Sequence, residues 1–159
     1  MRKVIRYSRM QQYGSGNASC RFSSCLRAFV VTLDCEQFMS EWRAWPFAPA
    51  AGTALCTLAE IPDKGARELV FGEGYDCFRV LLLRSSSGVR AYRNRCAHVH
   101  IPLNYEPELF HVLEGEVLMC AHHGAMYRIA DGFCFDGPCE GASLMPISVA
   151  VRGDTVVVV

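Results

Sequence analysis

The 159-residue chain contains no apolar run near the roughly 18 uninterrupted residues that a membrane-spanning helix needs. Its nearest candidate, residues 28–33, is six residues long and lies too far from the start for a secretory signal. These absences lead to the expectation of a cytoplasmic protein with no membrane span. Charge of one sign is not in excess either: 16 Lys and Arg balance 16 Asp and Glu, and no nucleic-acid partner is expected. Gly72-Glu73-Gly74 lacks the rest of a nucleotide fingerprint and reads as a turn. No flavin or nicotinamide motif and no mononuclear-iron facial triad is present, so no catalytic residue and no small-molecule substrate are assigned. Cysteine, in contrast, is plentiful. The nine thiols are odd in number and follow no secretory signal, which favours reduced thiols over a disulfide lattice. Histidine is scarce and concentrated: all five lie between positions 98 and 123.

With 51% hydrophobic residues the chain can bury one core of ordinary size. Residues 1–50 carry seven basic and three acidic side chains, and residues 51–159 carry nine and thirteen, so the two parts stand at +4 and −4. The first part includes the polar stretch 11–19 and has no clean period. It reads as an N-terminal extension, either partly disordered or upstream of a true start at Met39, or else as a basic arm that docks on a partner. The domain boundary is placed near residue 50. From 51 to 159, β-branched and aromatic runs alternate with turn signals, as in a small all-β domain, an antiparallel sandwich or barrel. Strands are predicted at 55–58, 68–71, 78–84, 89–93, 117–119, 126–129, 133–135, 147–151 and 155–159, with hairpin turns at 85–88 and 152–154. No long helix is predicted there.

The main chemical signal is a pair of hooks. Cys96-Ala97-His98 is followed, with 21 residues between, by Cys120-Ala121-His122-His123. A structural zinc ion would gather two thiolates and two imidazoles into one tetrahedron. A binuclear [2Fe–2S] centre would place two thiolates on one iron and two imidazoles on the other. In common zinc patterns each hook supplies one ligand type, whereas here each hook supplies one Cys and one His, and the pattern favours iron–sulfur. Both hooks fall on predicted loops, 95–104 and 121–127, at strand ends, where a rigid scaffold presents chemistry.

These residues resemble the Rieske ferredoxin family, whose hallmark is C-x-H followed by C-x-x-H. The likeness extends through His123-Gly124-Ala125-Met126-Tyr127, through Asp136-Gly137-Pro138, which is similar to the family's proline loop, and through the opening strand and turn at 55–62. It covers roughly residues 54–159. The resemblance implies Cys96 and Cys120 as thiolate ligands and His98 and His123 as imidazole ligands of one [2Fe–2S] cluster. His100, Tyr127 and Pro138 stand around it. Two departures matter. The family's C-x-H-x-G has His100 in place of the glycine, and Ala125 stands where high-potential members have a serine that bonds to sulfur. Fewer such bonds imply a potential toward the low end of the roughly −150 to +300 mV range.

Other residues have plainer readings. Neighbouring side chains on an extended segment point to opposite sides, so His122 is read as an exposed neighbour of His123. His100 reads as a donor to the cluster surroundings or as a rim residue, and His111 as surface. Cys56, Cys77 and Cys134 read as small core hydrophobes. A Cys–His nucleophile is set aside because no orienting acid or oxyanion hole accompanies either hook. The resemblance implies a one-electron carrier, not itself an enzyme, that shuttles electrons from a ferredoxin reductase to an oxygenase, alone or as a subunit of a larger oxygenase or nitrite-reductase-like assembly. The acidic domain would steer a basic partner. The alternative from another class is a zinc-stabilised binding module with no redox activity.

Overall fold

The computed structural model describes residues 41–159. The polar stretch 11–19, the apolar run 28–33 and Met39 lie outside the described residues.

Among the described residues every regular element longer than about a single turn is a strand, and all pairings are antiparallel. The strands are β1 (Ala54–Thr57), β2 (Ala66–Phe71), β3 (Phe78–Ser85), β4 (Gly88–Arg93), β5 (His111–Leu113), β6 (Val117–Met119), β7 (Met126–Arg128), β8 (Cys134–Asp136), β9 (Val149–Arg152) and β10 (Thr155–Val158). They form three small sheets with orders β1-β10-β9, β2-β3-β4 and β5-β6-β7-β8. Helical structure among the described residues is limited to short 3₁₀ turns at Glu41–Ala44, Leu58–Glu60 and Gly74–Asp76. All nine predicted strands occur with small shifts at their ends. β5 is an addition, because His111-Val112-Leu113 follows a Pro- and Glu-rich loop and is too short to show a period. Both predicted hairpin turns are present: Ser85 pairs with Gly88, and Arg152 with Thr155.

β3 organises the interior. Its run of apolar residues is buried on both faces, so alternate side chains serve two cores. Leu81 and Leu83 join Tyr92, Cys96, Leu103, Leu118, Cys120, Tyr127, Ile129 and Cys134 in one. Phe78, Val80 and Leu82 join Trp42, Ile61, Ala91, Ile147, Val156 and Val158 in the other. The first core therefore lies under the two hooks, and the second forms the base of the domain.

Trp42 lies upstream of the boundary placed near residue 50, yet it is fully buried in the base core against Phe78. Arg43 donates from its guanidinium to the Val159 carbonyl at 2.7 Å, and Ala48 packs on the same core. Trp42 and Ala48 thus pack on the base core, while the residues between them stay exposed. The sequence offered little sign of this, because a short Trp- and Pro-containing segment has no period of its own.

Candidate metal centre

The first hook is a closed turn between β4 and β5. The Cys96 amide donates to the Ile101 carbonyl at 2.7 Å, and the His100 amide returns to the Cys96 carbonyl at 3.0 Å. Residue 100 closes this turn in the left-handed region, with φ 61°. That backbone explains the glycine of the C-x-H-x-G pattern, because only glycine takes it without steric cost. His100 bears that cost here. The second hook is closed between β6 and β7 in the same manner, with Cys120 amide to Ala125 carbonyl at 2.8 Å and Gly124 amide to Cys120 carbonyl at 3.1 Å. The Ala121 amide donates to the Leu103 carbonyl at 2.8 Å and holds the two loops together.

The loops sort their donors by depth. Cys96 and Cys120 are 0% and 1% exposed and their sulfurs interact side by side. His98 and His123 are exposed, and their rings meet edge to face with centroids 4.9 Å apart. His122, expected to be exposed, is half-buried, with its ring centroid 5.4 Å from that of Tyr105 and 6.3 Å from that of His123. His111 is exposed on β5, where it pairs in register with Met119, the residue before Cys120, and is not one of the hook donors.

The surroundings of the sulfurs supply hydrogen-bond donors. Burial pushes the Cys120 thiol pKa up, and the amides of His122 and His123, aimed at the same sulfur, oppose that shift. Tyr127, buried on β7, places its hydroxyl 3.2 Å from the Cys96 sulfur and 3.0 Å from that of Cys139, while accepting from the Ala97 amide at 3.2 Å. Burial first, and then those sulfur contacts, raise its pKa. Cys139 thus reaches the loops through Tyr127 and also lies 3.5 Å from Cys134, whose burial raises its pKa to about 11. Gly137 brings the 136–139 loop against the second hook: a Cβ there would stand 2.8 Å from Ala125 Cα, and its φ is 104°. Pro138 is exposed on that loop.

A buried polar network that the sequence did not reveal anchors the first loop. Asn94 donates to Glu68 at 2.8 Å and to Asn104 at 2.7 Å, and its carbonyl oxygen accepts from the Leu103 amide at 2.8 Å. Arg79 completes Glu68 at 3.1 Å. Single Asn and Glu residues carry no pattern by which a sequence reading could find such a partnership. Cys77, read as a core residue, lies outside β3 and is half-buried.

The Rieske [2Fe-2S] domain profile matches residues 53–154. The chain belongs to this family. No curated protein sequence matches it. Among solved structures, it is similar to the terminal oxygenase of carbazole 1,9a-dioxygenase from Novosphingobium sp. KA1, at 21% identity and TM-score 0.57 over 68% of this chain and 29% of that one. It is also similar to the Sphingomonas yanoikuyae B1 ferredoxin, at 20% identity and TM-score 0.52 over 67% of this chain and 96% of that one. The ferredoxin of carbazole 1,9a-dioxygenase from Nocardioides aromaticivorans IC177 aligns at 21% identity and TM-score 0.53, covering 69% and 97%. The chain thus spans under a third of the oxygenase and nearly all of each ferredoxin; at these identities the likeness is one of fold.

The family's cofactor is a Rieske-type [2Fe–2S] cluster, and the donors present suit it. A buried thiol pair and an exposed imidazole pair, each split between the same two loops, match a centre with two thiolates on one iron and two imidazoles on the other. Among the described residues no helix is long and apolar enough to cross a membrane.

Proposed function

We propose that this Rieske domain is a one-electron carrier in which Cys96, His98, Cys120 and His123 hold the cluster, and that it passes electrons from a reductase to an oxygenase. The observation that carries this reading is the depth sorting of the donors: thiols inside the apolar core, imidazoles at the surface. When bound, the cluster supplies a site that gains and loses one electron. The chain does the rest. Leu103, Leu118 and Tyr127 exclude water from the thiol side, the hook amides and the Tyr127 hydroxyl stabilise negative charge on the sulfurs, and the exposed rings of His98 and His123 leave a short edge for a partner. Transfer from a reductase to an oxygenase fits the near-complete overlap with two ferredoxins, one of them named as a component of a dioxygenase. On this reading the chain transforms no substrate of its own and works in the cytoplasm.

The test is electron paramagnetic resonance of the full chain, purified without oxygen and reduced with dithionite. A rhombic signal with an average g below that of an all-cysteine [2Fe–2S] protein is expected. A silent sample with stoichiometric zinc would overturn the carrier. His123→Cys should retain iron while changing this spectrum; an unchanged spectrum would remove His123 from the ligand set.

A further inference from the structure

A cleft of about 450 Å³ opens beside the first hook, lined by Trp45, Arg79, Arg93, Arg95, His100 and Pro102 among others. We propose that it is a carboxylate-binding pocket that seats an acidic side chain of the redox partner next to the electron-exit edge. The proposal rests on the carrier reading above and adds the chemistry of the docking contact.

The cleft is a local exception in an acidic domain. Three guanidiniums and one imidazole line it, and Asp76 is the one acid among the lining residues. Arg79 is matched by Glu68 at 3.1 Å. Among the described residues, no carboxylate lies within ion-pair distance of Arg93 or Arg95. Arg93 lies over the Trp45 ring at 3.6 Å and near Phe78 at 5.3 Å, which fixes the plane of its fork. Its Nη1 is buried and has no hydrogen-bond partner. That atom is closed to an incoming anion, and a planar fork held in place presents its remaining N–H groups to a carboxylate in the cleft. Burial and the neighbouring charge of Arg95 lower the Arg93 pKa, and an incoming anion would offset the repulsion between the two guanidiniums.

Position ties the cleft to electron transfer. Arg95, His100 and Pro102 belong to the loop that presents His98, and the Arg95 Nε donates to the His100 carbonyl at 3.2 Å. On this proposal, a partner seated on the His98 edge reaches the neighbouring cleft. His100 keeps a left-handed backbone where glycine would cost nothing, and this residue lines the cleft. A strained residue retained beside a functional edge is a recurrent sign of a role there.

The experiment follows the oxidation of the reduced, cluster-loaded full chain by two small acceptors, anionic ferricyanide and cationic hexaammineruthenium(III). Each takes one electron from the protein and becomes its reduced form. If the cleft governs approach, the ferricyanide rate falls with added salt despite the chain's net charge of zero. Arg93→Gln should then lower that rate about three- to tenfold at low ionic strength, with no fall for the cation. The wild-type salt dependence decides even if the variant does not fold. The capped peptide acetyl-Glu-Glu-Glu-amide should inhibit ferricyanide reduction saturably at constant ionic strength. Equal inhibition by inorganic phosphate would make the cleft a free-anion site and overturn the partner assignment. A ferricyanide rate that rises with salt, or is untouched in Arg93→Gln, would overturn the pocket itself. Loss of the carrier reading would show separately, as a wild-type chain with no paramagnetic signal.

Discussion

Replacing Tyr127 by Phe removes one hydroxyl from a fully buried site and leaves the ring in place. That hydroxyl carries one proton and has two sulfurs in reach, Cys96 at 3.2 Å and Cys139 at 3.0 Å, while the Ala97 amide occupies a lone pair. With Cys96 as a thiolate ligand, the proton goes preferentially to the more negative sulfur. The bond is stronger in the reduced state, where that sulfur carries more charge. A net hydrogen bond contributes about 1 kcal/mol, and a difference of that size between the two states is a fair scale for the effect. For a one-electron couple a tenfold change is about 59 mV, so about 1 kcal/mol corresponds to about 40 mV. The potential of Tyr127→Phe should therefore fall by about 40 mV in a mediated titration followed by paramagnetic resonance. The variant should also lose about 1–3 kcal/mol of stability in denaturant, because the Ala97 amide keeps no acceptor. Tyr92→Phe is the matched control: its hydroxyl is also buried but donates to the Ile129 carbonyl at 2.8 Å. If Tyr127→Phe left the potential where it was, or if Tyr92→Phe moved it equally, the proposed bond to a ligand sulfur would be refuted.

Asn94→Ala should cost about 2–4 kcal/mol in chemical unfolding, since it strips a partner from buried Glu68, from Asn104 and from the Leu103 amide at once; a cost under 1 kcal/mol, roughly one ordinary hydrogen bond, would mean that the network does not anchor the loop. Tyr92 supplies a pH prediction. Burial, with Asp131 adding to it, raises its pKa to about 12, against about 10 in the unfolded chain. The native state holds this proton more tightly, so the associated stability is complete below pH 10 and is lost as pH rises through 12. Tyr92→Phe should flatten the alkaline decline in melting temperature, and an unaltered decline would show that other groups cause it. Trp42→Ala should destabilise the domain by about 3–5 kcal/mol in denaturant. An effect below about 1 kcal/mol, as at an exposed site, would favour the boundary near residue 50.

Much of this fold was legible because its signals are local. β3 reads as a strand from Phe78 to Arg84 since a short run containing Phe78, Val80 and three leucines stands between turns, and the hooks point to a metal through their paired Cys and His and the spacing between them. What was not legible depends on contacts far apart in sequence. Trp42 gives no sign that it will be covered by Phe78, and Asn94 none that it will join Glu68, 26 positions away. His100 is intermediate. The sequence marked it as a departure from glycine, while its side chain on the cleft and its left-handed backbone emerged only from the structure.

Charge summed over a domain and charge at its functional edge are separate quantities. The sum over 51–159 is −4, which pointed to a basic partner. Screening confines each charge to about 10 Å at ordinary ionic strength, so an approaching protein responds to what surrounds the exposed imidazoles more than to distant carboxylates. Glu114 and Glu116 lie at the far turn of the β5–β6 hairpin, and Asp154 lies in the β9–β10 turn at the base. Arg93 and Arg95, by contrast, immediately precede the first hook. On the proposal above, a partner at the His98 edge would meet these guanidiniums on one side and the exposed Asp136 and Glu140 of the loop against the second hook on the other. Local placement and not the summed charge therefore sets what it must match.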